Sequence, residues 1–287
     1  MDFPWPDMVI FEVMNKFKTI VLLLFILLLS AGCRTAIPVK ASPAEMQEIE
    51  NAFLSRNWDV VITHGKNLLE VEPDNVAVGF MLSMAYYMKG QYEHQDQQRS
   101  LALQDEKSID TVAAWCKDLV QRYPDNYYAN LLLGAAYRYR DELDNSRKAY
   151  EKAIEINPNL ADAYLGLGAT YYAEDDLDEA ISSIKKAIAI NPRLMPAYFS
   201  LGLLYEFLGR VDEAIASYEK TIEIDPNFVE AYLSLGELYS DQGEKDKAVK
   251  AYEKVIELDP EGEFGIFARE AIKGLKEQSD NDTEEKL

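Results

Sequence analysis

Apolar residues recur at helical spacing in paired segments throughout the second half of the chain. Residues 161–174 and 177–190 each place apolar or small side chains at intervals of three and four, which predicts two amphipathic α-helices. The acidic residues 174–176 lie between them and supply a turn and a helix N-cap. Pro192 ends the second helix, because proline lacks an amide hydrogen and clashes with the preceding turn. The local unit is therefore a helical hairpin.

The hairpin repeats with a 34-residue period. A single hairpin cannot bury its own apolar face, whereas stacked hairpins build a continuous core. Glycine in the first helix and a small residue in the second let the two helices approach closely. The repeated positions are Pro124, Pro158, Pro192, Pro226 and Pro260; Gly134, Gly168, Gly202 and Gly236; Tyr137, Tyr171, Tyr205 and Tyr239; and Ala180, Ala214 and Ala248, with Ser146 in the matching place of the first unit.

This pattern resembles the tetratricopeptide repeat, a helix–turn–helix unit of the same length. The resemblance covers residues 127–262 and implies an all-α fold, a right-handed α-solenoid of such repeats. It also implies that the first helix of each hairpin lines a concave groove in which ligand peptides lie. The four units are 127–160, 161–194, 195–228 and 229–262.

The repeat pattern weakens on both sides of the four units. Upstream of the four units, Pro73 and Pro124 are 51 residues apart, which is one 34-residue period and 17 further residues. Residues 45–126 are therefore predicted to hold two degenerate repeats and one added helix. Residues 263–278 form an amphipathic helix that we expect to cap the last hairpin. The polar residues 279–287 are predicted to be disordered.

The N-terminal segment has the pattern of an export signal. Residues 20–29 are continuously apolar, and as a helix they would span ~15 Å, about half of a bilayer core. Two lysines precede them and small residues follow, so residues 1–32 are predicted to be a signal peptide. Residues 1–13 do not fit such a signal, whereas a start at Met14 would give a regular one. Both starts remain open.

The run Leu-Ser-Ala-Gly-Cys at residues 29–33 resembles the lipobox of bacterial lipoproteins. The resemblance implies cleavage before Cys33, acylation of that cysteine, and a lipid-proximal tether over residues 33–44. Attachment by two or three acyl chains would be stable. It also implies a place in the bacterial cell envelope. Arg34 follows the cysteine where an Asp would retain the protein in the inner membrane of some Gram-negative bacteria, which favours the outer membrane. An uncleaved signal anchor is the alternative.

Composition limits the chemistry that the chain can perform. Acidic residues outnumber basic residues by 50 to 29, which argues against a nucleic-acid-binding surface. No phosphate-binding loop, zinc-protease motif or nucleophile elbow occurs. The sequence therefore predicts no enzyme activity, no cofactor and no metal. His64 and His94 are expected to be solvated or structural, and Cys116, beside Trp115, to be a buried free thiol.

Partner binding is the function that the sequence favours. The repeat positions that line the groove in the resembling family carry more aromatic residues than hairpin packing requires, which indicates recognition of a protein or peptide segment. Alternatively, these aromatic residues pack against the degenerate N-terminal repeats or against a neighbouring copy. The candidate partner-binding residues are Tyr128, Leu131, Arg138, Tyr139, Leu165, Tyr172, Phe199, Leu203, Phe207, Leu233, Glu237 and Asp241.

The charge of the four units changes steadily along the chain. Their net charges are 0, −3, −4 and −5, so a basic or amphipathic partner would be steered toward the C-terminal end. The sequence thus predicts a membrane-tethered, non-catalytic adaptor or scaffold. The resemblance implies a role in assembling pili, secretion systems or outer-membrane proteins, or as a protease adaptor. A self-associating structural lipoprotein and an accessory subunit of an envelope enzyme are the alternatives.

Overall fold

The computed structural model describes residues 43–91, 98–99 and 102–284, with side chains described as far as residue 277. The predicted signal peptide, the lipidation site and most of the predicted tether lie outside these residues. Within them the chain forms thirteen α-helices and no β-strand. The helices are α1 (Pro43–Leu54), α2 (Trp58–Val71), α3 (Val76–Met88), α4 (Glu106–Arg122), α5 (Tyr127–Tyr139), α6 (Leu143–Ile156), α7 (Ala161–Ala173), α8 (Leu177–Ile190), α9 (Met195–Phe207), α10 (Val211–Ile224), α11 (Val229–Asp241), α12 (Lys245–Leu258) and α13 (Glu263–Glu284).

Helices α5 to α12 form four successive hairpins. The second helix of each hairpin contacts the first helix of the next, so the apolar face between successive hairpins is covered. One cluster of buried side chains extends from Ala161 in α7 to Ala251 in α12 without a break. The predicted all-α fold, an α-solenoid of helical repeats, is therefore confirmed.

Glycines in the first helices make room for tyrosine rings from the second helices. At Gly202 in α9, an added Cβ would lie 2.5 Å from Cε1 of Tyr218 in α10. Tyr218 is fully buried, so its ring fills the space that a side chain at residue 202 would occupy. The same arrangement recurs in the pairs Gly134–Tyr150 and Gly236–Tyr252. The close approach that the repeated glycines predict is thus an approach of ring to backbone in three of the four hairpins, whereas at Gly168 the side chain of Ile184 fills the space.

The turns inside the hairpins follow the sequence prediction. Gly209 and Gly243 adopt left-handed backbone conformations, with φ of 68° and 74°, and end the first helices of their hairpins. In the second unit Asp175 takes this place with φ of 62°. Asp176 then caps α8, because its Oδ1 accepts a hydrogen bond of 3.3 Å from the amide of Glu179. The turn and the N-cap predicted from residues 174–176 are confirmed.

The first and fourth helices are joined through a buried carboxylate. Glu50 of α1 accepts a hydrogen bond of 2.8 Å from Nε1 of Trp115 and forms an ion pair of 2.8 Å with Arg122, both in α4. The Glu50 side chain is only 7% exposed, whereas the second carboxylate partner of Arg122, Asp118, is 59% exposed. Cys116 lies in the same helix and is buried and free, as predicted.

The last helix is longer than the sequence predicts, and it buries different positions from the first helices of the repeats. Helix α13 continues to Glu284, where disorder was predicted from residue 279. It begins one repeat period after α11, and its buried Gly265 stands in the place of Ala231, but residues 269 and 270 are exposed where Leu235 and Gly236 of α11 are buried. Among the helices described, none is both long and apolar enough to cross a bilayer.

Candidate binding groove

The first helices of the four hairpins bring the candidate residues onto one face. Residues 34 apart occupy the same position in successive repeats, so α5, α7, α9 and α11 present their equivalent side chains in rows. Direct contact between rows is seen where the rings of Tyr172 in α7 and Phe207 in α9 meet edge to face, with centroids 6.1 Å apart. We call this face the groove.

The groove is filled by the protein's own side chains at its N-terminal end. Tyr128 is 2% exposed, and its ring packs edge to face on Trp58, with centroids 5.6 Å apart, and on Phe53. The Arg56 guanidinium lies 5.5 Å from the centroid of the same ring. Burial raises the pKa of Tyr128 to about 12. Leu131 is 3% exposed.

This burial corrects the sequence prediction for two candidate residues. Tyr128 and Leu131 were predicted to contact a partner, but the degenerate N-terminal repeats already cover them. The physical reason is that the repeat position fixes the direction of a side chain but does not determine what lies opposite it. The alternative that some groove aromatics pack against those repeats is the correct one for Tyr128.

Five further candidates are partly buried and shape the walls of the groove. Phe199 packs on Phe228, with ring centroids 4.8 Å apart, and on Tyr218. Arg138 lies over the Tyr139 ring, 4.8 Å from its centroid, and also interacts with the hydroxyl group of Tyr150. These partly buried residues are Arg138, Tyr139, Leu165, Phe199 and Leu233.

Three candidates form an exposed apolar patch in the middle of the groove. Tyr172 is 50% exposed, Leu203 47% and Phe207 55%. Large apolar side chains that are exposed in a contiguous group mark interaction sites more often than isolated ones do. We call Tyr172, Leu203 and Phe207 the apolar patch. It is the part of the groove where a partner can contact apolar side chains.

The C-terminal end of the groove carries three neighbouring carboxylates. Glu206 of α9 accepts a hydrogen bond of 2.6 Å from the Tyr218 hydroxyl. Partial burial, followed by the negative charges of Glu206 and Asp241, raises the pKa of Glu237 to about 7. We call Glu206, Glu237 and Asp241 the acidic cluster. Two of its members were predicted from sequence, and both are exposed.

Comparison with known families identifies the hairpins. Family models described as "TPR repeat" match residues 134–175 and 207–243, and those described as "Tetratricopeptide repeat" match residues 161–194 and 229–261. The chain carries tetratricopeptide repeats. None of the curated proteins is significantly similar to this sequence.

Several solved tetratricopeptide and related structures are similar to this chain. A crystal structure of MamA shares 30% identity, covers 62% of this chain and 95% of its own, and gives a TM-score of 0.47. The thermophilic protein TTC0263 of Thermus thermophilus shares 21% identity over 68% and 97% of the two chains, with a TM-score of 0.49. YrrB, described as having an unusual peptide-binding site, shares 17% identity over 72% and 97%, with a TM-score of 0.45.

The candidate partner-binding residues omit two residues of the tetratricopeptide groove, Glu206 and Asp162, although both stand at groove-lining positions of the repeat. Glu206 follows the repeated Tyr205 and was not among the candidates, although it belongs to the acidic cluster. Asp162 lies at the filled end, where burial raises its pKa while a hydrogen bond from Tyr87 and the charge of Arg56 oppose that rise. The signal for Glu206 was available, since it stands one repeat period after Tyr172. The partners of Asp162 lie in degenerate repeats and give no such signal.

The described residues offer no set of ligands for a metal ion. No group of three or more His, Cys, Asp or Glu side chains among them is arranged to hold one. His64 stands 3.4 Å from Glu48 at the surface, far along the chain from the tetratricopeptide groove. Burial raises the pKa of the Cys116 thiol, which disfavours the reactive thiolate. What the groove offers is an apolar patch between charged groups.

Proposed function

We propose that this protein is a non-catalytic scaffold that holds a segment of a partner protein on the apolar patch, while lipidated Cys33 tethers it to a bacterial membrane. The observation that carries the binding role is the exposure of Tyr172, Leu203 and Phe207 side by side on the groove face of tetratricopeptide repeats. A few buried side chains contribute most of the binding energy at protein interfaces, and tyrosine is enriched among them. Burial of Leu203 and Phe207 by a partner would add a hydrophobic contribution.

The membrane tether is supported by sequence alone. The apolar run at residues 20–29 and the small residues before Cys33 have the pattern of a lipoprotein signal. Confinement to a surface would raise the effective concentration of scaffold and partner. A role in envelope assembly follows from this tether, and the outer membrane is favoured by Arg34.

Site-specific photocrosslinking in cells tests the binding role. A photoreactive phenylalanine analogue replaces Leu203 in one version of the full chain and Ile266, which is equally exposed on α13, in a matched control. We expect a discrete crosslinked partner from position 203 and none from position 266. Adding Tyr172→Ala and Phe207→Ala should abolish the crosslink at 203, because it removes the surface that the partner covers. An unchanged crosslink would disprove the role of the patch.

The outcome also separates partner binding from self-association. If the species crosslinked at position 203 is a second copy of this chain, and light scattering shows a stable dimer, the structural-lipoprotein alternative is correct. For the tether, we expect Cys33→Ser to release the protein from the membrane fraction. Wild-type chain of unacylated mass in that fraction would contradict the lipid anchor.

A further inference from the structure

We infer that the ligand of the groove is an extended segment with charges of opposite sign at its two ends: an acidic group that pairs with Arg138 and a basic group that lies in the acidic cluster. Apolar side chains between them cover Tyr172 and Phe207. This inference rests on the proposed function and gives the chemistry of the partner segment.

The order of charges is set by one position of the repeat. Arg138, Tyr172 and Glu206 follow one another at intervals of one repeat period and occupy the same position in three successive first helices. The next position along the helix holds Phe207 and, one period later, Asp241. The groove therefore runs from a cation, across aromatic rings, to carboxylates.

Arg138 differs from the neighbouring arginines because it forms no ion pair with a carboxylate of the residues that the structure describes. Arg140 pairs with Asp110 and Glu142, and Arg147 pairs with Asp144 and Glu174. Arg138 interacts with two tyrosine side chains. Among the described residues, its Nε is the one fully buried side-chain nitrogen or oxygen atom without a hydrogen-bond partner.

The missing partner is significant because a guanidinium is always charged. Leaving it partly buried without an anion is costly, and a carboxylate supplied by a ligand would remove that cost while binding with planar geometry. In a chain with 50 acidic residues, a groove arginine without an ion pair points to an anion that arrives from outside.

The acidic cluster lacks a positively charged partner among the described residues. None of its three carboxylates forms an ion pair with a Lys or Arg among the described residues, and the charges of Glu206 and Asp241 act unfavourably on Glu237. The hydroxyl of Tyr218 donates to Glu206, and Tyr252 lies close enough to interact with Glu237 and Asp241. A single Lys or Arg side chain from a ligand would offset the mutual repulsion of the carboxylates.

The spacing fixes the length of the segment. Packed helices lie roughly 8–10 Å apart, so equivalent positions advance by about 10 Å per repeat. Arg138 and Glu206 are two repeats apart, and Asp241 lies in the repeat after that. The charges of the ligand should then be separated by roughly 20–30 Å, which an extended chain covers in about six to nine residues.

Selection from a displayed library of random twelve-residue peptides on the full chain tests the inference. Wild type should enrich sequences with one acidic and one basic residue about six to nine positions apart and apolar residues between them. On Arg138→Gln the acidic preference should disappear and the basic one persist. On Glu206→Gln with Glu237→Gln the reverse should hold. Arg138→Lys should retain the acidic preference, because it keeps the cation.

A second measurement does not depend on any protein variant folding. In a peptide enriched on wild type, changing its acidic residue to the amide, or its basic residue to Gln, should each weaken binding by about tenfold. Changing both should weaken it further. Peptides enriched without charge preference, or unaffected by these changes, overturn the inference.

The proposed function fails in a different way. If peptides enriched on wild type bind Tyr172→Ala plus Phe207→Ala equally well, or if wild type enriches none, then the patch is not a binding site, and the inference falls with it. If binding needs the patch but ignores charge, then only the inference is wrong.

Discussion

Single glycines decide how closely the helices of each hairpin approach. The ring of Tyr218 rests where a side chain at residue 202 would stand, and the ring's own hydroxyl reaches Glu206 in the groove. One residue pair thus links the packing of the core to the chemistry of the binding face. We therefore expect a substitution at Gly202 or at Tyr218 to lower the stability of the protein.

We expect Gly202→Ala to destabilise the protein by about 1–3 kcal/mol, because the new methyl group would overlap the Tyr218 ring. The matched control is Gly274→Ala in α13, where an added Cβ meets no atom within 4 Å. That change should be neutral or stabilise by up to about 1 kcal/mol, since alanine favours the helix. Denaturant unfolding measures both, and equal effects would contradict this account of the glycine.

Glu237 gives stability a defined pH dependence. Its pKa is raised to about 7 in the folded protein from an ordinary value of 4.5, so the folded state holds a proton that the unfolded state releases. Stability from this group therefore falls as pH rises from about 4.5 to about 7 and stays low above it.

Replacing Glu237 by Gln should remove this loss. Above pH 7 we expect Glu237→Gln to melt about 1–3 °C higher than wild type, a small effect because the side chain is exposed. Below about pH 4.5 the two should coincide. Glu253→Gln, at an exposed position of α12 away from Glu206 and Asp241, is the control and should leave the profile unchanged. A Glu237→Gln profile parallel to wild type at all pH values would refute the assignment.

At the scale of helices, the sequence predicts what repeats and fails where contacts are unique. The 34-residue period is enough to predict the hairpins, their turns and the α-solenoid, because each repeat meets its neighbours in the same way. The ion pair between Glu50 and Arg122 joins residues 72 apart in the sequence and has no counterpart in other repeats. For the same reason the sequence offers packing of Tyr128 on the degenerate repeats only as an alternative and does not identify Trp58 as its contact. Five candidates, including the three residues of the apolar patch, are exposed.

We expect Glu50→Gln to destabilise the N-terminal helices by about 2–3 kcal/mol, because it leaves Arg122 without its buried anion. Asp118→Asn removes the exposed partner of the same arginine and should cost no more than about 0.5 kcal/mol. Hydrogen exchange resolves where the loss occurs. Amides of α1 to α4 should exchange faster in Glu50→Gln, while those of α9 to α12 should not change.

At the scale of the whole molecule, the repeat architecture explains why the effect of Glu50→Gln should stay within the N-terminal helices. Each hairpin contacts its neighbours, so a defect at one end is transmitted only through successive interfaces. Uniform acceleration of exchange throughout the chain would show a single cooperative unit instead. The groove also differs from one repeat to the next: Tyr128 is buried at its N-terminal end, whereas Tyr172 is exposed in the following repeat.

The altered buried face of α13 restricts how the chain can be lengthened. Because Arg269 and Glu270 are exposed where Leu235 and Gly236 of α11 are buried, α13 does not present the surface on which the second helix of a hairpin packs. A duplicate of residues 195–228 inserted ahead of Val229 would meet matching surfaces on both sides. A protein with five tetratricopeptide hairpins would carry a second copy of Glu206 and of Phe207. Its groove would be one repeat longer, so we expect it to select ligands whose charged ends are further apart.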